Sequence, residues 1–71
     1  MTLNELLTTL AGNETLLIEV VETVEEADST IIEFDVPGYE ALSAELLART
    51  VESVTVKTQA SILIGITIKV V

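Results

Sequence analysis

Carboxylates are the only side chains in this sequence that are numerous enough to suggest catalysis. The 71 residues include 12 Asp and Glu, three Lys and Arg, and no His or Cys. Two carboxyl groups held at a fixed separation in a cleft can hydrolyse a glycosidic bond. A chain of this length is too small to build such a cleft, and Phe34 and Tyr39 are too few aromatic residues to line a sugar site. We therefore do not expect a glycosidase.

The acids near the middle of the chain raise the question of a calcium site. Glu22, Glu25, Glu26 and Asp28 lie close together in sequence. A calcium loop of the EF-hand type needs alternating oxygen ligands, a glycine in mid-loop and a distal bidentate glutamate. Residues 23–28 have neither the spacing nor the glycine, so they are predicted to form a solvated turn.

Other catalytic chemistry lacks its usual residues. Without histidine, no serine of the chain has its common activating base, and without cysteine there are no thiolate ligands and no disulfides. The three glycines, Gly12, Gly38 and Gly65, are isolated and form no phosphate-binding loop. We expect no catalytic residue, no metal site and no cofactor.

Leucine spacing predicts an amphipathic helix at the beginning of the chain. Leucines at i, i+3, i+4 and i+7 form one apolar stripe in residues 2–10. Thr2 and Glu5 fit a capping box, in which each side chain binds a free amide of the first turn. Gly12 and Asn13 are residue types that end helices in the left-handed conformation, so we expect them to end this one.

Alternating apolar residues predict a β-hairpin after the helix. Residues 15–23 and 30–36 have the period of two that is typical of strands, and the charged residues 24–29 separate them as a turn.

A second helix and a second hairpin are predicted after Pro37 and Gly38. Residues 39–49 have helical composition, with the alternative that Ser43 caps a shorter helix beginning at Ala44. Strands are predicted in residues 51–57 and 62–70, with Val54 and Val56 on the core face of the first and a tight connection at residues 59–60. The even positions of the last strand are expected to form an unbroken core row, namely Ile62, Ile64, Ile66, Ile68 and Val70.

These elements predict an α+β fold. The order is α-β-β-α-β-β, with two helices and a small, largely antiparallel four-stranded sheet in a single domain over residues 1–71. The 14 residues between Val36 and Val51 permit either a parallel crossover or an antiparallel return, so the strand order stays open.

The outer face of the first hairpin is a candidate binding surface. Glu19 faces either Glu33 or Asp35, and in both registers acids crowd together on neighbouring strands at a cost in stability. One interpretation is that Lys57 or Lys69 neutralises this cluster within the chain. The other is that the acids receive a basic surface of another protein; the residues of this predicted acidic face are Glu19, Glu22, Glu33 and Asp35.

The last strand is a candidate for self-association. Residues 61–68 are uncharged, prone to form β-structure and free of proline, so an exposed edge there would aggregate unless it is covered. Gly65 in mid-strand predicts a bulge or the close approach of another backbone. Either this strand is central in a monomer, or the outer apolar residues build a homo-oligomer interface; that predicted set is Leu17, Val21, Ile31, Leu63, Gly65 and Val71.

Charge and hydropathy limit the partners. The formal net charge is −9, which disfavours direct binding to nucleic acid or to anionic lipid. With 49% hydrophobic residues the chain is far too apolar for a disordered acidic tail. No secretory signal is visible at Met1 and no uncharged stretch is long enough to span a bilayer, so we expect a cytoplasmic protein.

A resemblance adds a context to these features. Residues 34–39 (FDVPGY), followed by residues 46–49 (LLAR) and 51–54 (VESV), resemble a pattern in short uncharacterised accessory proteins of phages and prophages. The resemblance covers about the middle third of the chain and carries no active site. It implies a phage accessory protein of the host cytoplasm that binds, and in some cases inhibits, a host defence protein. The alternative is a self-assembling structural homo-oligomer, with or without a small-ligand site between subunits.

Overall fold

The computed structural model describes residues 1–12 and 16–71. Its elements follow the predicted α+β order: α1 (Leu3–Leu10), β1 (Leu17–Val24), β2 (Ala27–Asp35), a 3₁₀ helix (Val36–Ala41), α2 (Ala44–Leu47), β3 (Val51–Gln59) and β4 (Ile62–Val70). The fold class is therefore confirmed.

The four strands form one mixed sheet in the order β2-β1-β4-β3. The two hairpins are antiparallel, as predicted, but the central pair β1 and β4 is parallel. Because β2 and β3 consequently run in the same direction, the segment between them must return along the sheet before β3 begins. The parallel crossover is thus the alternative that the protein adopts.

The helix α1 begins and packs as its sequence predicts. The Glu5 amide donates to Thr2 Oγ1 at 3.2 Å, and the Thr2 amide donates to Glu5 Oε1 at 2.9 Å, which completes the capping box. These bonds from Thr2 hold the pKa of the Glu5 carboxyl below its ordinary value. Leu3 and Leu7 are fully buried against the sheet, and each such side chain stabilises the fold by about 1.5–3 kcal/mol.

The helix ends where predicted but by another means. Ala11 is the C-cap in a right-handed conformation, and Gly12 does not have the positive φ that a left-handed cap requires. The predicted role of Gly12 is therefore wrong, and Asn13 lies outside the described residues.

The second helix is the shorter of the two alternatives. The Leu46 amide donates to Ser43 Oγ at 3.2 Å, so Ser43 caps a helix that begins at Ala44. A helix through residues 39–49 is wrong because Ser43 has extended backbone (ψ 148°), which interrupts helical geometry. Leu46 and Leu47 are half-buried against the core.

Both hairpins close with turns of two residues. Glu25 and Glu26 have φ of 51° and 68°, and Ala60 and Ser61 have φ of 52° and 67°. Positive φ at both central residues is the geometry of a type I′ turn, which usually selects Asn-Gly. Neither pair is Asn-Gly, so the sequence carries no clear mark of either turn. The predicted first turn, residues 24–29, is therefore too long, and the predicted second turn, residues 59–60, lies one residue too early.

The core row of β4 is only partly as expected. Ile66, Ile68 and Val70 are buried, whereas Ile62 and Ile64 are 66% and 46% exposed. Lys57 pairs with Gly65 and Thr58 with Leu63, which leaves Ile64 as an additional residue on β4. This bulge shifts the alternation of side chains by one residue. The prediction that the even positions of β4 form an unbroken core row is therefore wrong.

Val54 and Val56 on β3 lie on the core face, as predicted, since they pair with the buried Ile68 and Ile66, but both side chains remain exposed. The buried cluster takes its strand residues from β1 and β4, where α1 covers the sheet. At the start of β3, the N-terminus covers Val51, whose amide donates to the Met1 carbonyl oxygen at 2.9 Å. The second half of β3 has no such cover among the described residues.

Candidate functional site

Glu19 lies at the centre of the outer sheet face and is held by three side chains. It pairs with Glu33 across β1 and β2, which is the first of the two predicted registers. Lys57 Nζ donates to Glu19 Oε1 at 3.0 Å, Thr67 Oγ1 donates to the same oxygen at 3.2 Å, and Thr30 Oγ1 donates to Oε2 at 3.0 Å. The hydrogen bond from Lys57, followed by that from Thr30, lowers the pKa of Glu19 below its ordinary value.

A second lysine crosses the same face. Lys69 on β4 is the strand partner of Val21 on β1. Its Nζ reaches across β1 to Asp28 on β2, where it lies 3.1 Å from Oδ1. The same Nζ is 3.9 Å from Glu52 Oε2 on β3. A lysine stem that extends in this way covers apolar surface beneath it. Val21 is accordingly only 6% exposed, which removes it from the outer apolar surface to which the sequence assigned it.

Glu22 lies on the other face of β1. Side chains alternate along a strand, so Glu22 projects with the buried Ile18 and Val20 rather than with Glu19. Its Oε2 is 2.7 Å from Arg49 Nη1, and Arg49 Nε also donates to the Val71 carbonyl oxygen at 2.9 Å. This ion pair ties β1 to the segment that precedes β3.

The predicted acidic face is therefore divided. Glu19 and Glu22 are engaged by cations of the chain on opposite faces of the sheet, whereas Glu33 and Asp35 are exposed on β2. Within the described residues, neither of these two carboxylates has a cation at ion-pair distance. The part of the acidic face that remains open to a partner is the edge strand β2.

Gly65 allows β1 and β4 to approach closely. A Cβ atom at this position would lie 2.9 Å from the Leu17 carbonyl oxygen, which is closer than real Cβ contacts. The expected close approach of another backbone is confirmed, and the neighbouring strand belongs to the same chain. Gly65 is buried, while Leu17, Ile31, Leu63 and Val71 of the predicted self-association set are exposed.

An apolar surface that the sequence did not predict lies at the end of the second hairpin. We call residues 54–64 the distal hairpin. Five of its large aliphatic side chains are exposed: Val54, Val56, Ile62, Leu63 and Ile64. Val54 and Val56 share one face of the hairpin with Leu63, which pairs with Thr58, whereas Ile62 pairs with Gln59 on the other face. Scattered single apolar residues are normal on a protein surface, but a group of exposed apolar residues on one face is typical of an interaction site.

One signal in the sequence points to this surface. Residues 53–71 contain Lys57 and Lys69 and no acid, whereas all 12 acids lie in residues 1–52. The surface of this segment is therefore the least acidic part of a chain of net charge −9. The bulge at Ile64, by contrast, could not be recognised from the alternation of apolar residues in the sequence.

Small-molecule and metal sites have little support in the geometry. A shallow open depression of about 300 Å³ lies between α1 and α2, lined by Thr2, Asn4, Ala44, Leu47 and Ala48. The Thr2 hydroxyl is already bonded within the capping box. Among the side chains that the structure describes, no three acidic groups converge as metal ligands would.

Comparisons with known proteins find no relative: no protein-family model, no curated protein and no solved structure matches this chain. The class that the structure defines is a small α+β domain with a mixed sheet. Over the described part of the chain, no helix has the length and apolar character needed to cross a membrane.

Proposed function

We propose that this chain is a non-catalytic protein-binding domain that docks its partner on the distal hairpin. The observation that carries the proposal is the exposure of Val56, 57%, on the edge strand β3, and of Ile62, 66%, on the neighbouring strand β4. Edge strands offer unpaired amide and carbonyl groups, and partners often bind by adding a strand to such an edge. Exposed aliphatic side chains beside the edge provide the apolar contacts.

The two edges of the sheet differ in a way that favours β3 as the docking edge. β2 carries Asp28, Glu33 and Asp35, and Ile31 is an additional residue within its ladder with β1. Charges and bulges are the devices by which proteins protect edge strands from pairing. From Ser53 to Lys57, β3 pairs with β4 in regular register and carries one charge, which is already bound to Glu19. Apart from Lys57, and from the additional residue Glu52 at the start of the strand, this edge has neither device, so it is less protected than β2.

A second function is favoured by a different observation. Glu33 and Asp35 are exposed on β2 and project on the same face as Glu19. We propose that they bind a basic surface of another protein, in keeping with a phage accessory protein that inhibits a host defence protein in the host cytoplasm. Electrostatic attraction of this kind accelerates association and weakens as salt is raised.

Photo-crosslinking tests the first proposal. Benzoylphenylalanine is placed at Ile62 on the distal hairpin and, as a matched control, at Glu25 in the turn at the opposite end of the sheet. Irradiation in cells and at high micromolar concentration in purified form should give an adduct of discrete mass from position 62 alone. The adduct should disappear in a chain that also carries Val56→Lys. Equal labelling from both positions, or none, would overturn the proposal.

The acidic proposal has its own test. Replacing Glu33 by Gln and Asp35 by Asn removes both exposed charges and retains similar side-chain shapes. Capture of a basic partner should then weaken, and its salt dependence should become shallower. Replacing Glu25 and Glu26 by Gln removes the same number of charges from the turn and serves as the control. Undiminished, salt-dependent capture by the first variant would contradict this function.

A further inference from the structure

We propose that the partner on the distal hairpin is a second copy of this chain, joined by antiparallel pairing of β3 with β3 across a two-fold axis. This inference rests on the proposed function and names its partner. The result is a continuous eight-stranded sheet in the order β2-β1-β4-β3-β3-β4-β1-β2. Three features of the structure support it: the length of free edge, the complementarity of β3 with itself, and the distribution of charge.

The free edge of β3 has a defined beginning and end. At its start, Thr2 forms a bridge with Thr50, and the Val51 amide donates to the Met1 carbonyl oxygen. The N-terminus therefore occupies the edge up to Val51. From Ser53 to Gln59, β3 is exposed and, among the described residues, pairs with β4 alone. Seven residues of unoccupied edge match the length of an ordinary strand.

The sequence of this edge is complementary to itself in an antiparallel register. With the two-fold axis at Thr55, Thr55 faces its copy and Val54 faces Val56 of the other chain. Aliphatic β-branched pairs of this kind stabilise antiparallel strands. Ser53 faces Lys57, so no charged residue opposes a like charge. An axis at Lys57 would instead set two ammonium groups against each other.

Distances along the strand keep the remaining like charges apart. In the Thr55-centred register, the two copies of Lys57 are four residues apart along the strands, about 13 Å at ~3.3 Å per residue. That separation exceeds the Debye length of about 8 Å at physiological ionic strength. Each Lys57 is also bound to Glu19 of its own chain.

The charge distribution explains why a second copy suits this edge better than a basic protein does. The acids that would attract a basic partner lie in residues 1–52, and the exposed pair Glu33 and Asp35 is on the opposite edge strand. In the eight-stranded sheet, the two β2 strands are seven strand spacings apart, about 34 Å at ~4.8 Å each. Two chains of net charge −9 therefore associate with their most acidic edges farthest apart.

Single-cysteine crosslinking tests both the partner and the register, because the chain contains no cysteine. Thr55→Cys places two thiols opposite each other at the axis, where directly paired Cβ atoms are about 4.5–5.5 Å apart. Gln59→Cys on the same strand places them eight residues apart, about 26 Å. Mild oxidation should convert Thr55→Cys to a disulfide dimer and leave Gln59→Cys monomeric. Equal oxidation of both variants would overturn the register.

Sedimentation of the full chain separates failure of this inference from failure of the proposed function. The unsubstituted chain should sediment at twice its mass of 7.6 kDa, and Val56→Lys should weaken the dimer by about tenfold or more, while thermal unfolding of the monomer at low protein concentration stays unchanged. A monomer at high micromolar concentration overturns self-pairing. If position 62 then still crosslinks to a different protein, the protein-binding function stands; if it crosslinks to nothing, both proposals fall.

Discussion

Lys57 Nζ lies 3.0 Å from Glu19 Oε1, although the two residues are 38 positions apart and the intervening strand β4 separates β3 from β1. The lysine crosses the face of β4 beside Gly65, its own strand partner, which has no side chain to obstruct the path. A carboxylate that the sequence offered as a binding residue is thus part of the link between the two hairpins.

This ion pair makes stability depend on pH in a defined direction. The pKa of Glu19 is lowered in the folded chain from an ordinary value of 4.5, chiefly by the hydrogen bond from Lys57. A lowered folded-state pKa contributes stability above about pH 4.5, and that contribution is lost as pH falls through the folded-state pKa. Urea midpoints of the original chain and of Glu19→Gln should therefore differ at pH 7 and approach each other as the pH falls below about 4.5. A constant difference would contradict the pairing.

The same relationship can be followed at the carboxyl group itself. In Lys57→Met, carboxyl NMR should show the pKa of Glu19 returning toward 4.5, because its strongest hydrogen-bond donor is gone. Lys69→Met is the matched control, since Lys69 binds Asp28 and should leave the pKa of Glu19 where it is.

Gly65→Ala should destabilise the fold by about 1–3 kcal/mol. The added Cβ would meet the Leu17 carbonyl oxygen at 2.9 Å, and backbone cannot move aside as a flexible side chain does. Gly38→Ala is the control, because a Cβ there meets no atom within 4 Å. Denaturant unfolding compares the two, and equal stabilities would show that β1 and β4 are not in close contact.

Replacing Ala60 by Asn and Ser61 by Gly should stabilise the chain by about 1 kcal/mol or more. Both residues have positive φ, which costs most residues about 1–2 kcal/mol and costs Asn and Gly less. The thermal midpoint should rise. A matching gain is expected for the same pair placed at Glu25 and Glu26, and a fall in either variant would contradict the turn geometry.

Two isoleucines of β4 should respond very differently to truncation. Ile68 is fully buried, so Ile68→Ala should cost about 2–5 kcal/mol through lost burial and a residual cavity. Ile62 is two-thirds exposed, so Ile62→Ala in the monomer should change stability by about 0.5 kcal/mol or less. The comparison is made by urea unfolding at low protein concentration. Similar losses of stability at both positions would instead support the predicted core row that includes Ile62.

Features that depend on neighbouring residues were accessible from the sequence. The capping box of Thr2 and Glu5, the Ser43 cap and the alternation of apolar residues in β1 each arise from contacts within a few positions. Local hydrogen bonds and a period of two or 3.6 fix such elements before any tertiary contact exists. The helix and strand order, and hence the α+β class, followed from them.

Features that depend on bulges and strand order required the tertiary structure. The extra residue Ile64 left no mark on the alternation of apolar residues, yet it decides that Ile62 is exposed while Ile66 is buried. Likewise, only the order β2-β1-β4-β3 brings Lys57 to Glu19 and leaves β3 as a free edge. The sequence by itself determined that carboxylates are many and their usual catalytic partners absent. Which of those carboxylates remain open to a partner was decided by tertiary contacts, because ion pairs across a sheet depend on which strands become neighbours.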